Sequence, residues 1–360
     1  RRAHCRSRSE MMLPLALAAL ALVRPGWTTP PRPYRAPLAL YTSDACVAHQ
    51  PSSRTKPHPE QPERLANLLR ALRTKWSPEF GARLAVREPS ADVTDAQLLR
   101  VHSLAHTAKV ELALTAAKGV GRVNLDSDTV ASTGTRAAAR RAAGLVVAAV
   151  DEVMQPSLTP PDRRPRRAFV MARPPGHHAE ADKAMGFCFY NNVLVGVAHA
   201  QAKHGVGRVA ILDFDVHHGN GDAQISEVDP ARLYVSSHEV PNFPGTGIER
   251  GTEGAFANVV SVPLPPGSGP AAFRRAWRDT LLPAVRAFEP EMIFLSAGFD
   301  AHKDDPLSSA RLEHADFAWL TREVTAIGGG RLPIVSVLEG GYNIAALERS
   351  VYTHVKALMA

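Results

Sequence analysis

No run in this chain reaches the roughly 18 to 20 consecutive apolar residues that a membrane span needs. The 360 residues include only three cysteines. Cys5, Cys46 and Cys188 show no paired spacing, so neither a disulfide framework nor a cysteine-rich zinc site is expected. A basic binding face is also missing. The net charge is +7, but residues 1–40 hold seven arginines against one acid, Glu10. Six of the seven net charges therefore sit in the leader, and the rest of the chain is almost neutral. That distribution argues against direct nucleic-acid binding. There is no internal repeat, no second domain, and no visible zinc finger or partner motif.

What is present is an ordinary globular composition, 45% apolar and 21% charged. The length suits one large α/β unit. The start, "RRAHCRSRSEMMLPLALAALALVRPGW", places an Arg-rich stretch before an apolar run from Met11 to Val23. It resembles a signal-peptide core or an organellar transit peptide, so organellar or secretory-route targeting is expected; otherwise the protein belongs to nucleus or cytoplasm. The Pro-rich "RPGWTTPPRPYRAP" that follows reads as a linker. Residues 1–37 are accordingly set apart from a domain spanning 38–360.

Within that domain, Leu65, Leu68, Leu69 and Leu72 recur at helical spacing. The Ala-rich run 127–154 reads as one long helix, and "QPSLTPPDRRPR" after it as a loop. Short β-rich runs then appear at 167–172, 208–216, 232–237, 291–297 and 332–339, mostly separated by helical stretches. This alternation predicts a single α/β domain: an open, mainly parallel β-sheet with helices on both faces.

Each of these runs ends in a polar, Gly-rich cluster: RPPGHH, DFDVHHGNG, HEVPNFPGTG, GFDAHKDD and GGYN. Ligands bind outside the carboxyl ends of strands in open α/β sheets, and five such clusters are hard to explain as packing. Strand alternation puts Asp213, Asp215 and His217 on one side. An Asp-x-His pair can bind a divalent cation, and aspartates among apolar residues are costly without a cation or donors. Helix capping would explain one of these aspartates, not three aligned groups. Asp300, following a buried strand, is the best third ligand. Nearby His302, Asp304 and Asp305 read as solvated loop residues. A two-metal centre recruiting Asp213 is the alternative, but no second Asp/His group stands ready to complete it.

Eight motifs in order, "HPEQPERL", "NLDSDT", "RPPGHHAE", "MGFCFYNN", "DFDVHHGNGD", "FPGTG", "SAGFDAHKDDPL" and "LEGGYN", make the chain resemble the zinc-dependent histone deacetylases. The wording is similar to the class II and bacterial-type branch. The resemblance implies the arginase/deacetylase fold and roles position by position. Asp215, His217 and Asp300 would bind Zn²⁺. His178 would be the general base and then acid, and His177 would help position water and substrate. Asp213 and Asn220 would orient His177 and His178, and Tyr342 would donate to the oxyanion. Gly186, Phe187, Phe243 and Leu307 would line a narrow acyl-lysine channel, with Asp128 holding the substrate backbone at its rim. Asp213, Asp215, His217, Ser236 and Ser237 match a structural site for a monovalent cation such as K⁺.

Two positions refine the implied activity. Tyr342 is His in a weakly active subgroup, so its presence implies an active enzyme. Leu307 replaces the Glu that marks polyamine deacetylases, which implies a neutral channel. The implied reaction is removal of acetyl from N6-acetyl-lysine in proteins, whether histone or not, by metal-activated water. Small acetylated amines are the alternative substrates, and a binding protein with a silent site is the reading from another class. Asp213 is expected to keep His177 more basic than Asn220 keeps His178.

Overall fold

Five of the apolar runs become five neighbouring strands, because each is short, β-branched and bounded by turn residues. In chain order the strands are β1 Leu38–Tyr41, β2 Leu84–Arg87, β3 Arg122–Asn124, β4 Val130–Ser132, β5 Arg167–Val170 and β6 Val209–Asp213. They continue with β7 Arg232–Glu239, β8 Gly251–Glu253, β9 Val259–Leu264, β10 Met292–Ala297 and β11 Ile334–Leu338. The computed structural model describes residues 36–53, 55, 57–155 and 165–360. The expected leader and nearly all of the linker, and most of the loop at 155–166, lie outside the described residues.

Nine strands form one sheet in the order β2-β1-β5-β11-β10-β6-β7-β9-β8, and β3 pairs with β4 in a separate ribbon. All neighbours in the large sheet are parallel except β8 and β9. Every residue of β5, β6, β10 and β11 is buried, as a parallel sheet covered on both faces requires. Phe294 points to one face, where Gly196 of the helix Asn192–His204 meets its ring with no room for a Cβ. Ser336, registered with Leu295 on the opposite face, bonds His354 of the helix Ile344–Leu358 at 2.8 Å.

The structure corrects the long helix expected over 127–154. The helix is Thr135–Met154, and Val130–Ser132 before it is strand β4. Gly134 marks the break: it lies against the Ala48 backbone, where a side chain would clash. The strands β1, β2, β8 and β9 extend the sheet beyond the five expected runs. Among the described residues, no helix is long and apolar enough to cross a membrane.

Candidate active site

The five runs with polar ends occupy adjacent places in the sheet, β5-β11-β10-β6-β7, and all are parallel. Their carboxyl ends therefore share one edge, and the loops after them meet there. The expected alternation through His217 does not hold as strand, since β6 ends at Asp213. Side chains bonded to the backbone two residues ahead continue it instead. Asp215 N–H donates to Asp213 Oδ1 at 3.0 Å, and His217 N–H donates to Asp215 Oδ1 at 2.9 Å. These Asx-type turns bring Asp215 and His217 to the same point.

Asp215, His217 and Asp300 converge there, all buried, with one ligand atom each within 4.8 Å of the others. His217 Nδ1 lies 3.0 Å from Asp215 Oδ1 and 3.2 Å from Asp300 Oδ2. Asp300 Oδ2 is buried with no hydrogen bond of acceptable geometry. Its other oxygen accepts from Val216 N–H, and Asp215 Oδ2 accepts from Gly340 N–H at 2.8 Å. Gly298 and Gly340 are required: a Cβ on either would stand 2.0 Å from a carboxylate oxygen of Asp215 or Asp300.

Burial disfavours a charged His217, yet its bond to Asp215 and the Asp300 carboxylate beside it push it up to about 10. Burial, then the neighbouring Asp215 charge, pushes Asp300 up to about 7. The cluster thus holds a proton where a divalent cation would satisfy all three groups, and an Asp₂His donor set suits zinc.

The tandem histidines lie beside this cluster, their ring centroids 3.9 Å apart. His177 Nδ1 bonds Asp213 Oδ2 at 3.1 Å, and its Nε2 is 3.9 Å from Asp215 Oδ1. Burial works against its charge, but the Asp215 and Asp213 carboxylates hold its pKa well above the usual value. His178 Nδ1 bonds Asn220 Oδ1 at 2.9 Å. Burial, then the charges of His177 and His217, holds His178 well below the usual value. Asn220 Nδ2 donates to Glu180 Oε1 at 2.6 Å, so its oxygen must face His178. His178 Nδ1 then carries the proton, and Nε2 keeps its lone pair.

Asp213 is fully engaged as a positioning group. Oδ2 accepts from His177 and from the Tyr234 hydroxyl at 2.9 Å, while Oδ1 accepts from Asp215 N–H. This leaves little of it to bridge a second metal.

A cleft opens over the cluster. Asp128, His178, Gly186, Phe187, His217, Phe243, Leu307 and Tyr342 all line it, together with Asn242, which sequence reasoning missed. Phe187 stands edge-on to Tyr342 at 5.8 Å, and Phe243 edge-on to His178 at 5.0 Å. Gly186 has φ +56°, and a Cβ there would lie 2.5 Å from the His178 ring. Asp128 sits in the turn between β3 and β4, its carbonyl 3.0 Å from His58 Nε2. Ser236 is paired with Asp213 across β6 and β7. Its hydroxyl is 2.9 Å from His238 Nδ1, and the Ser237 hydroxyl accepts from Trp277 at 2.9 Å.

Four buried supports also escaped the sequence reading. Glu339 accepts from Gly176 N–H at 2.6 Å and His177 N–H at 3.2 Å, so it holds the turn that presents the tandem pair. Asp305, expected in solvent, is buried and accepts from Tyr342 N–H at 2.7 Å, Asn343 N–H and Leu307 N–H. His302 is likewise buried, whereas Asp304 is exposed as expected. Arg64 donates to the carbonyls of Gly341 and Glu339 at 2.6 and 2.5 Å, and its guanidinium lies 4.7 Å from the Tyr342 ring centroid. Glu60 binds Arg64 and clamps Arg173, which leads into the Pro174 turn. The signal for Glu60, Arg64 and Glu339 was charge inside the motifs "HPEQPERL" and "VLEGGYN".

A buried Asp₂His cluster, a tandem histidine pair and a tyrosine beneath a narrow cleft define a hydrolase-type site. The histone deacetylase domain matches residues 58–358, and the chain belongs to that family of deacetylases. It is 34% identical over 330 residues to "Histone deacetylase 14, chloroplastic" of Arabidopsis thaliana, covering 89% of this chain and 76% of that protein. It is 36% identical over 334 residues to "Histone deacetylase-like amidohydrolase" of Pseudomonas aeruginosa, covering 91% and 78%. The solved structure of the HDA15 HD domain aligns with TM-score 0.79 and 33% identity, over 89% of this chain and 91% of that one. The fold is the arginase/deacetylase fold.

Proposed function

We propose that this deacetylase is zinc-dependent and removes acetyl groups from N6-acetyl-lysine in proteins. The observation that carries the reading is the Asp215/His217/Asp300 cluster, with its orphaned Asp300 oxygen, at the floor of a cleft walled by aromatic rings. Zinc held by these three residues supplies a Lewis acid for the amide carbonyl and lowers the pKa of water toward about 7.

The chain's own residues handle protons and position the substrate. His178 Nε2, neutral and with its lone pair available, accepts the proton of the attacking water and later delivers it to the leaving amine. His177, kept charged by Asp213 and Asp215, stabilises negative charge beside it. Tyr342 donates to the oxyanion; such a donor typically contributes about 3 to 4 kcal/mol. Phe187, Phe243 and Leu307 exclude water from the acyl-lysine stem, and Gly186 leaves room for it. Asp128 at the rim binds the substrate backbone. Structural K⁺ beside Asp213 belongs to the same reading. Potassium dependence of thermal stability tests it.

The test is acetate release from an acetyl-lysine peptide by zinc-loaded protein. Turnover that falls roughly 100-fold or more in Tyr342→Phe supports the reading; no release, and no effect of that change, overturns it. A second reading, hydrolysis of small acetylated amines, gains support from similarity to the Pseudomonas amidohydrolase. Against cationic amines, Asp128 is the only carboxylate among the described residues that line the cleft. Comparing acetylpolyamines with acetyl-lysine peptides separates the two.

The partner this reading calls for is an acetylated polypeptide. The Arg-rich leader, with the chloroplastic name of a relative, supports organellar targeting. Imaging the tagged full-length protein in cells checks it.

A further inference from the structure

A second cluster of metal-binding side chains lies away from the cleft. Asp151 is near the end of the helix Thr135–Met154, and His199 and His204 lie on the helix Asn192–His204 packed against it. His199 Nε2 and His204 Nε2 both point at Asp151 Oδ1, at 2.9 and 2.8 Å. Among the described residues, this is the only convergence of three such groups besides the catalytic one. The second helix begins after β5 and runs back to the start of β6. His204 at its end is therefore at the sheet edge opposite the catalytic loops.

We propose that Asp151, His199 and His204 form a second, surface site for a borderline divalent transition metal such as zinc. The donor set is one carboxylate and two imidazoles, which suits zinc, nickel or copper rather than magnesium or calcium. Burial favours the neutral form of His199, as a ligand must be. Burial works against ionised Asp151, but its bonds to Lys203 and the two histidines bring it down to about 2, so it offers a charged oxygen at neutral pH.

Ligand atoms on tetrahedral zinc stand about 3.3 Å apart. The two spacings from the histidines to Asp151 are within about half an ångström of that, and all three ligand atoms lie within 4.8 Å of one another. Binding needs each imidazole to move its proton to Nδ1 and Asp151 to withdraw slightly. Asp151 and His204 keep side-chain exposures of 30% and 15%, so an ion can enter and water can complete its shell. The metal would staple the two helices and take no part in catalysis.

Lys203 tunes the site. Its half-exposed ammonium holds Asp151 Oδ2 at 2.8 Å, so it competes with a cation for the same carboxylate. The surface site is consequently weaker than the buried one.

Equilibrium dialysis of the untagged full chain against zinc, followed by metal counting, tests this. The parent should hold two zinc ions per chain, and His204→Gln and Asp151→Asn one each, with unchanged acetyl-lysine turnover for His204→Gln. Lys203→Ala should tighten the second ion severalfold. Melting curves with and without zinc confirm that each variant is folded and show whether the second ion stabilises it. If His204→Gln and Asp151→Asn hold as much zinc as the parent, or Lys203→Ala weakens binding, the surface site is refuted. Failure of the catalytic zinc reading is distinct: Asp215→Asn would then lose no metal, while His204→Gln still would.

Discussion

Glu60→Gln isolates one charge in the support of the site without changing side-chain volume. Glu60 is fully buried, and so are its partners Arg173 and Arg64. Arg173 grips both of its oxygens at 2.7 and 2.6 Å, Arg64 reaches Oε1 at 3.1 Å, and His49 lies 3.3 Å from Oε2. Burial alone would raise this carboxyl, but the Arg173 charge and the bonds around it hold it well below the usual range. Substitution leaves two buried guanidinium groups without their counter-charge. Breaking a buried pair by removing one partner costs about 3 to 5 kcal/mol.

For a domain of this size that is a fall in Tm of roughly 4 to 8 °C. The pH dependence follows from the sign of the shift. A carboxyl lowered in the folded state contributes its stability fully above its unfolded pKa, about 4.3. That contribution fades as pH falls through the lower folded value. Calorimetry from pH 7 to pH 3 should therefore show the parent–variant gap largest near neutrality and narrowing in acid. A gap below about 1 kcal/mol at pH 7, or one that widens in acid, refutes the charge argument.

Further outcomes follow from neighbouring contacts. Asp305→Asn puts an amide where three backbone N–H groups donate, so kcat should drop more than KM rises; Asp305→Glu rescuing nothing while Tm is unchanged would place the effect on the Tyr342 loop. Gly186→Ala should raise KM for acetyl-lysine peptides sharply and also lower Tm, because its Cβ would press on the His178 and Phe243 rings from a positive-φ position that alanine rarely adopts; peptide kinetics and melting decide it, and an unchanged KM refutes the fit. His178→Ala should lose roughly 100-fold or more in turnover while zinc content, read by metal analysis, stays at parent level. Gly340→Ala should lose catalytic-site metal before it loses fold, since its Cβ would stand between the Asp215 and Asp300 carboxylates.

What could be read in the sequence and what could not divide along one physical line. A parallel strand buried on both faces is a short apolar run, and its functional side chains come just past its end, so β5, β6, β7, β10 and β11 and their clusters are legible locally. Strand β2 is not, because only Leu84 of its "LAVR" is fully buried and no apolar run marks it. The Thr135 helix start was missed because the Ala-rich pattern runs on through β4, and what ends it is a contact between Gly134 and Ala48. Each of the supports Glu60, Arg64, Asp305 and Glu339 makes contacts 37 to 277 residues away in the chain, mostly with backbone groups that carry no side-chain signature.

Asp305 shows the consequence most clearly. Two adjacent aspartates, Asp304 and Asp305, look alike in sequence, yet one is exposed and the other buried beneath the tyrosine loop. Their difference is set by which N–H groups arrive from Tyr342, Asn343 and Leu307, and buried donors of that kind demand an acceptor. Loss of the carboxylate should therefore disturb the tyrosine and the channel wall together, because Leu307 and Tyr342 depend on the same side chain.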